Sequence, residues 1–214
     1  TYKKQISNII DFSSKQNSAE IQFNSKWLSK MTLEKIVNLA AKFTVSQMLQ
    51  RDMFQKRLAE KKEIHLHEFL YPLMQGYDSV ALDTDMEIGG TDQTFNMLIG
   101  KDLVKTYNKK EKFIITTPLL INPKNNKKLM SKSEGNYIAL DDSPNEMYGK
   151  IMALDDVVLI TCFELCTLIE QNKITEIKAG LKNGKLNPRD VKAELAREIV
   201  SIYHGKKSAD EAER

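Results

Sequence analysis

Apolar residues recur at helical spacing along most of the chain, and short alternating or continuous apolar runs interrupt them only before residue 142. Residues 2–11 read as a short helix and are followed by a polar loop, Ser13-Ser14-Lys15-Gln16-Asn17-Ser18. The run "EIQFN" at 20–24 alternates like a brief strand. Thr32, followed by Glu34 and Lys35, opens an amphipathic helix with Leu33, Ile36, Val37, Leu39 and Ala40 on its apolar side. Residues 45–60 continue as helix, with Met48, Leu49, Met53 and Phe54 inward. A longer helix covers 65–82, and Met86-Glu87-Ile88 forms a short strand running into Gly89-Gly90. Residues 92–107 are helical, 113–117 a buried strand, 122–128 a turn built on Asn122-Pro123, and "NYIAL" another short strand. Helices then follow at 143–153, 155–171, 173–182 and 188–204, with Leu186-Asn187-Pro188 marking a helix start. The pattern predicts an α/β layer over 1–142 and an all-helical domain over 143–214.

Composition narrows the class without naming a partner. Hydrophobic content of 41% beside 29% charged residues suits a water-exposed globular protein with a real core. A net charge of +3 is too small to demand a nucleic acid, so any such case rests on local clusters. Lys101, Lys105, Lys109, Lys110 and Lys112 form one, readable as RNA-phosphate contacts or as a solvated helix end. No apolar run is long enough for a membrane span, and no signal peptide is visible. Cys162 and Cys166 sit in an apolar helical stretch and read as reduced core thiols, which suits a cytoplasmic protein. His65 and His67 read as a helix-entry pair without a third ligand, so no metal site is expected.

Three stretches could carry chemistry. In "YPLMQGYD", Tyr71, Gln75 and Asp78 stand at i, i+4 and i+7, so they project within about 60° of one another on the helix. A phenol, an amide and a carboxylate converging in this way can hold a small ligand that bears both a cation and a hydroxyl. The same trio also reads as the polar face of a solvated helix. In "MEIGGTDQTFN", a strand ends in two glycines and a new helix begins at Thr91 or Asp92 as cap. At the carboxyl end of a parallel strand, that turn is where open α/β sheets bind nucleotides. The glycines would allow close approach and unusual φ values, and Asp92 could accept from ribose hydroxyls. An ordinary strand–helix turn reads equally well. Finally, "KKLMSKSEGN" offers mobile lysines, the hydroxyls of Ser131 and Ser133, and the flexibility of Gly135. It lacks the glycine spacing of a P-loop.

In this order and spacing the three stretches resemble the class I aminoacyl-tRNA synthetases, and among them the bacterial tyrosyl-tRNA synthetases. "MSKS" is the core of that class's signature loop, here near 128–136, and "QFNSKWL", "FTVSQMLQRD", "HEFLYPLMQGYDS" and "NPRDVKAELAREIVSIYHG" extend the likeness over the whole chain. The resemblance implies the second half of a Rossmann-like catalytic domain, followed by a helical anticodon-side domain. It implies that Tyr71, Gln75, Asp78 and Gln93 bind L-tyrosine, with Gln93 near the reacting carboxylate. Gly90 and Asp92 would meet the ribose of the adenylate, and Lys132, with Ser133, would stabilise the departing pyrophosphate. It further implies ATP as substrate, Mg²⁺, tRNA(Tyr) as acceptor, and a homodimer.

Two departures stand out. The residue before Met130 is Leu129 where the family's signature normally has lysine, with Lys127 and Lys128 displaced by one or two positions. The family's His-x-Gly-His signature is missing, since His65, His67 and His204 stand in no such motif. The chain opens on Thr1, so a fragment is expected, without the first half of the catalytic domain or the family's C-terminal RNA-binding module, and inactive alone. The competing readings are a tryptophanyl-tRNA synthetase and a non-catalytic RNA-binding relative of the same fold.

Overall fold

The computed structural model describes residues 2–129 and 137–214. In chain order its elements begin with α1 (Tyr2–Ile6), α2 (Ser25–Leu28), α3 (Leu33–Ala40), α4 (Val45–Leu49), α5 (Asp52–Ala59) and α6 (His67–Ala81). Next come β1 (Met86–Gly90), α7 (Thr94–Tyr107), β2 (Phe113–Thr117), β3 (Ile121–Asn122) and β4 (Lys127–Lys128). The remainder is α8 (Pro144–Met152), α9 (Leu159–Cys166), α10 (Gln171–Lys182), α11 (Pro188–His204) and α12 (Lys206–Ala212). The chain packs as two compact units, Gln22–Leu119 and Thr1–Ile21 with Leu120–Arg214.

In the Gln22–Leu119 unit, β1 and β2 pair in parallel from Met86↔Phe113 to Gly90↔Thr117, joined through α7. Parallel strands need such a crossover, which brings both carboxyl ends to one edge. Helices α6 and α7 lie side by side, with Gly76 set against Gly100. A Cβ on Gly76 would sit 2.9 Å from Ile99 Cγ2, 3.0 Å from Leu103 Cδ1 and 3.1 Å from the Gly100 nitrogen. Gly76→Ala is therefore expected to lower stability by about 1–3 kcal/mol, as overpacking does. Thermal unfolding of the complete protein checks this, and an unchanged midpoint would show that the two helices can part without loss.

Several local readings change for physical reasons. Residues 45–60 form two helices, because Arg51 adopts an extended backbone (φ −63°, ψ 129°) and Gln55 Nε2 caps the Leu49 carbonyl at 2.6 Å. Phe54 and Met48 are buried as the periodicity predicts, but Met53, Leu33 and Val37 are exposed. Residues 20–24 lie in irregular chain with no strand pairing among the described residues. The strand at 113–117 exists but is not buried: Met86, Ile88, Phe113 and Ile115 are exposed. On alternate positions, Glu87 and Ile114 are shielded in part. An apolar strand run signals two covered faces only if layers pack on both sides.

The other unit is a helical core of Met147, Ile151, Leu159, Phe163, Leu195 and Val200 with their neighbours. Ser143 and Glu146 close a capping box ahead of Pro144, and Asn187 Oδ1 accepts from the Arg189 N–H at 2.9 Å, so both helix starts form as read. The helix expected over 155–171 is shorter. Thr167 turns extended, and its hydroxyl donates to the Phe163 carbonyl at 2.7 Å, ending α9 at Cys166. Of "NYIAL", residues 137–140 are not strand. Residue 142 lies inside this unit, since Leu120, Leu129 and Ile138 all pack on its helical core. Cys162 and Cys166 are free, and burial pushes the Cys162 thiol up to about 12, so it stays a neutral packing group.

Candidate active site

Helix α6 is anchored at its start before it presents any functional group. Glu68 accepts from the His65 N–H at 2.9 Å and from both terminal nitrogens of Arg57 on α5. Hydrogen bonding from Arg57, then from the His65 amide, holds its carboxyl down at about 2. Tyr71, Gln75 and Asp78 then follow along the helix at the predicted interval, with Tyr71 exposed and the other two half-buried.

The structure sorts these groups into separate surroundings. Asp78 Oδ1 accepts from Trp27 Nε1 at 2.7 Å, and Oδ2 accepts from Asn24 Nδ2 at 3.3 Å. Burial raises its carboxyl above the ordinary aspartate value, opposed by those two hydrogen bonds and reinforced by the charge of Glu87. Gln75 Oε1 accepts from Asn96 Nδ2 at 2.9 Å, and the same Nδ2 donates to Gln93 Oε1 at 3.1 Å. Asn96 therefore brings together two side chains, one from α6 and one from the turn before α7. Tyr71 is not part of that network. It lines a hollow of about 440 Å³ with Arg51, Met53, His67, Glu68, Leu70 and Met74.

Gly90 ends β1 at the carboxyl edge of the parallel pair, and Thr91–Gln93 form a single 3-10 turn leading into α7. The backbone departs from expectation in two ways. Gly90 has φ −68°, ψ 156°, an extended conformation any residue adopts. Space is tight, however: a Cβ there would lie 2.8 Å from Asp92 Oδ1 and 2.9 Å from Leu119 Cδ2, so the ends of those side chains would have to shift to admit it. Nor does Thr91 or Asp92 stand at a cap position: Gly90 precedes the 3-10 turn and Gln93 precedes α7, and the turn closes through the Thr94 N–H donating to the Thr91 carbonyl. Asp92 is exposed at this edge.

Beneath the site, Lys112 is wholly buried and cannot meet RNA phosphates. Its Nζ donates to Glu87 Oε2, to Ser79 Oγ at 2.8 Å and to the Met97 carbonyl at 3.4 Å. Lys110 pairs with Asp83 and Asp85, and Lys105 with Glu111. Among the residues that sequence reasoning missed, Asn96 stands three after Gln93 on the same face, a spacing that could have revealed it. Asn24 and Trp27 carry no local signal. Lys132 and Ser133 lie outside the described residues. At the edge of that stretch, Leu129 is half-buried on the helical core and its N–H donates to the Leu120 carbonyl at 2.8 Å. The leucine at this position is thus a packing residue, while Lys128 is exposed on β4.

A parallel β-α-β unit with polar side chains gathered near its carboxyl edge, followed in sequence by a helical bundle, defines an α/β protein of the class that binds ligands at strand ends. The model of the family "tRNA synthetases class I (W and Y)" matches residues 1–214, and the chain belongs to that family. It is 47% identical over all 214 residues to the tyrosine–tRNA ligase of Carboxydothermus hydrogenoformans and 46% identical to that of Haemophilus influenzae. It covers 51% and 52% of those two proteins, so the chain spans about half the length of the curated relatives it matches. Among solved structures, it resembles a C-terminally truncated mitochondrial tyrosyl-tRNA synthetase of Aspergillus nidulans (TM-score 0.67, 24% identity, 99% of this chain and 63% of that one). A tyrosyl-tRNA synthetase of Archaeoglobus fulgidus complexed with L-tyrosine gives a TM-score of 0.65 at 19% identity, over 100% of this chain and 72% of that one. At those identities, the structural likeness concerns the fold. Among the described residues no helix is long and apolar enough to cross a membrane.

Proposed function

We propose that the chain is part of a tyrosine–tRNA ligase that forms tyrosyl-adenylate from L-tyrosine and ATP and transfers the tyrosyl group to tRNA(Tyr). The observation that carries this reading is the identity of 45–47% over the whole chain to relatives named as tyrosine–tRNA ligases. The half-buried Gln75, tied through Asn96 to Gln93 at the edge where α/β sheets take ligands, supports it, as does the half-buried carboxylate of Asp78 on the same helix. A carboxylate oxygen of tyrosine attacks the α-phosphorus of ATP and pyrophosphate departs. A terminal ribose hydroxyl of the tRNA then attacks the activated carbonyl, and AMP departs.

Each residue has a role in this scheme that needs no side-chain nucleophile. Asp78 accepts from the phenolic hydroxyl and lies near the ammonium, while Tyr71 and Gln75 complete the ammonium's hydrogen bonds. Gln93 steadies the reacting carboxylate, and Gly90 and Asp92 take the ribose. Lys132 and Ser133 meet the charge that develops on pyrophosphate, so catalysis is positioning with electrostatic stabilisation. Mg²⁺ would arrive on the triphosphate oxygens, as it commonly does at nucleotide sites. The described residues contain no group of three or more His, Cys, Asp or Glu that could cage it. Residues 1–142 would then supply the later part of a Rossmann-like catalytic domain and 143–214 the anticodon-side helices. The exposed Leu33, Val37 and Leu66 would suit a homodimer interface, and the free thiols a cytoplasmic setting.

The family's description covers tryptophan and tyrosine enzymes alike, so the amino acid has to be tested. The complete protein is expected to catalyse tyrosine-dependent ATP–pyrophosphate exchange and to give none with tryptophan. Exchange with tryptophan alone would overturn the tyrosine reading. Exchange with neither amino acid would point to a non-catalytic relative.

A further inference from the structure

Asn96 is 3% exposed, and its side chain is not explained by helix formation or core packing. Its single amide nitrogen donates to two acceptors at once, Gln75 Oε1 at 2.9 Å and Gln93 Oε1 at 3.1 Å, while its own Oδ1 has no hydrogen-bond partner among the described residues. A primary amide has two N–H donors, and both are used here to hold glutamine carbonyls. That choice fixes what each glutamine has left. With Oε1 held, Gln93 turns its Nε2 donors away from Asn96, which suits a carboxylate. Gln75 keeps the second lone pair of Oε1 and its own Nε2 for a neighbouring group. We infer that Asn96 is a positioning residue, setting the rotation of both glutamine amides so that they act on one ligand as a coupled pair. This rests on the reading of Gln75 and Gln93 as substrate-binding groups.

The chemistry of the site favours this role over that of a passive filler. A leucine or methionine would fill a buried position against α6 without leaving a carbonyl oxygen unpaired. Retaining an amide with one orphaned atom makes physical sense where the other atom orders two partners, since buried polar groups are otherwise costly. Gln75 and Gln93 also come from different elements, so packing of one does not fix the other.

The test is a mutant cycle in the complete protein, measured by tyrosine-dependent ATP–pyrophosphate exchange. With Asn96 present, Gln75→Ala and Gln93→Ala are expected to be non-multiplicative: the double variant loses at least threefold less in kcat/KM than the product of the single losses. In the Asn96→Ala background the two losses should become multiplicative. Asn96→Ala alone should lower kcat/KM about tenfold, mainly through KM for tyrosine, with the ATP KM little changed. If Asn96→Ala does not fold, Asn96→Ser, which keeps one donor, should hold one glutamine at a time and abolish the coupling equally. Persistence of the coupling in either background, or equal rises in both KM values, overturns the inference. Absence of exchange in the unmodified protein would instead reject the functional reading on which it rests.

Discussion

Asp78→Asn is expected to remove most tyrosine activation while leaving the protein as stable as before, or slightly more so. The carboxylate is half-buried and its proton affinity is raised chiefly by desolvation, so the folded state holds the charge at a cost. For an acid whose folded value lies above its unfolded value, that cost is present above the folded value. It disappears as pH falls and the group is protonated in both states. Asparagine removes the charge and keeps an oxygen for the Trp27 N–H. Substrate binding moves the opposite way. A hydrogen bond from the tyrosine hydroxyl to a carboxylate contributes about 1.5–3 kcal/mol, roughly ten- to a hundredfold in kcat/KM. Wild-type activation should accordingly fall as pH drops through the raised Asp78 value, whereas the residual activation of Asp78→Asn should not change with pH over that range. Asp78→Ala should abolish activation as well, and should also cost about 1 kcal/mol of stability, because Trp27 Nε1 and Asn24 Nδ2 lose their acceptor. Exchange kinetics and thermal unfolding across pH 4–8 separate the two effects. Retained tyrosine activation in Asp78→Asn would remove Asp78 from the pocket.

What could be read from the chain beforehand follows the range of the interactions involved. The helical face carrying Gln75 and Asp78 depends on a period within one element, so spacing alone places them. The parallel β-α-β unit is also local enough to be legible, since strand, glycine turn and helix signals succeed one another within 86–117. The partners of Asp78 are another matter. Asn24 and Trp27 are 54 and 51 residues away, and nothing in "FNSKWL" says which carboxylate it will meet. Residues 20–24 show the converse, because alternation describes a strand's faces but cannot supply a neighbour to pair with. The lysines at 109–112 mislead for a similar reason. "KKEK" looks solvated in sequence, yet Lys112 is enclosed where the absent side chain of Gly100 makes room. A Cβ on Gly100 would lie 2.6 Å from Lys112 Nζ.

That enclosure gives the second large effect, a loss of stability confined to the elements that carry the site. Glu87 and Lys112 form an ion pair in which the lysine side chain is fully buried and the glutamate one-quarter exposed. The two partners should therefore not be equally costly to remove. Glu87→Leu strands an ammonium that water cannot reach, with only the Ser79 hydroxyl and the Met97 carbonyl left to it, and should cost about 3–5 kcal/mol. Lys112→Met leaves a carboxylate that can recover some hydration and should cost less, about 1–3 kcal/mol. The double variant removes both charges and should be more stable than Glu87→Leu alone, since a buried pair offsets its own desolvation poorly. Amide hydrogen exchange in the complete protein reads this locally, through protection in β1, β2 and α6. Additive losses, or a greater loss from Lys112→Met, would contradict it. The pair also joins elements that carry the proposed site. Ser79 follows Asp78 directly, and Glu87 stands two residues before Gly89, so one ammonium joins the helix bearing the carboxylate to the strand that ends at the proposed nucleotide edge. If the double variant regains stability but tyrosine KM stays raised, the ion pair serves to hold α6 and β1 in register, and apolar packing of similar volume cannot replace it.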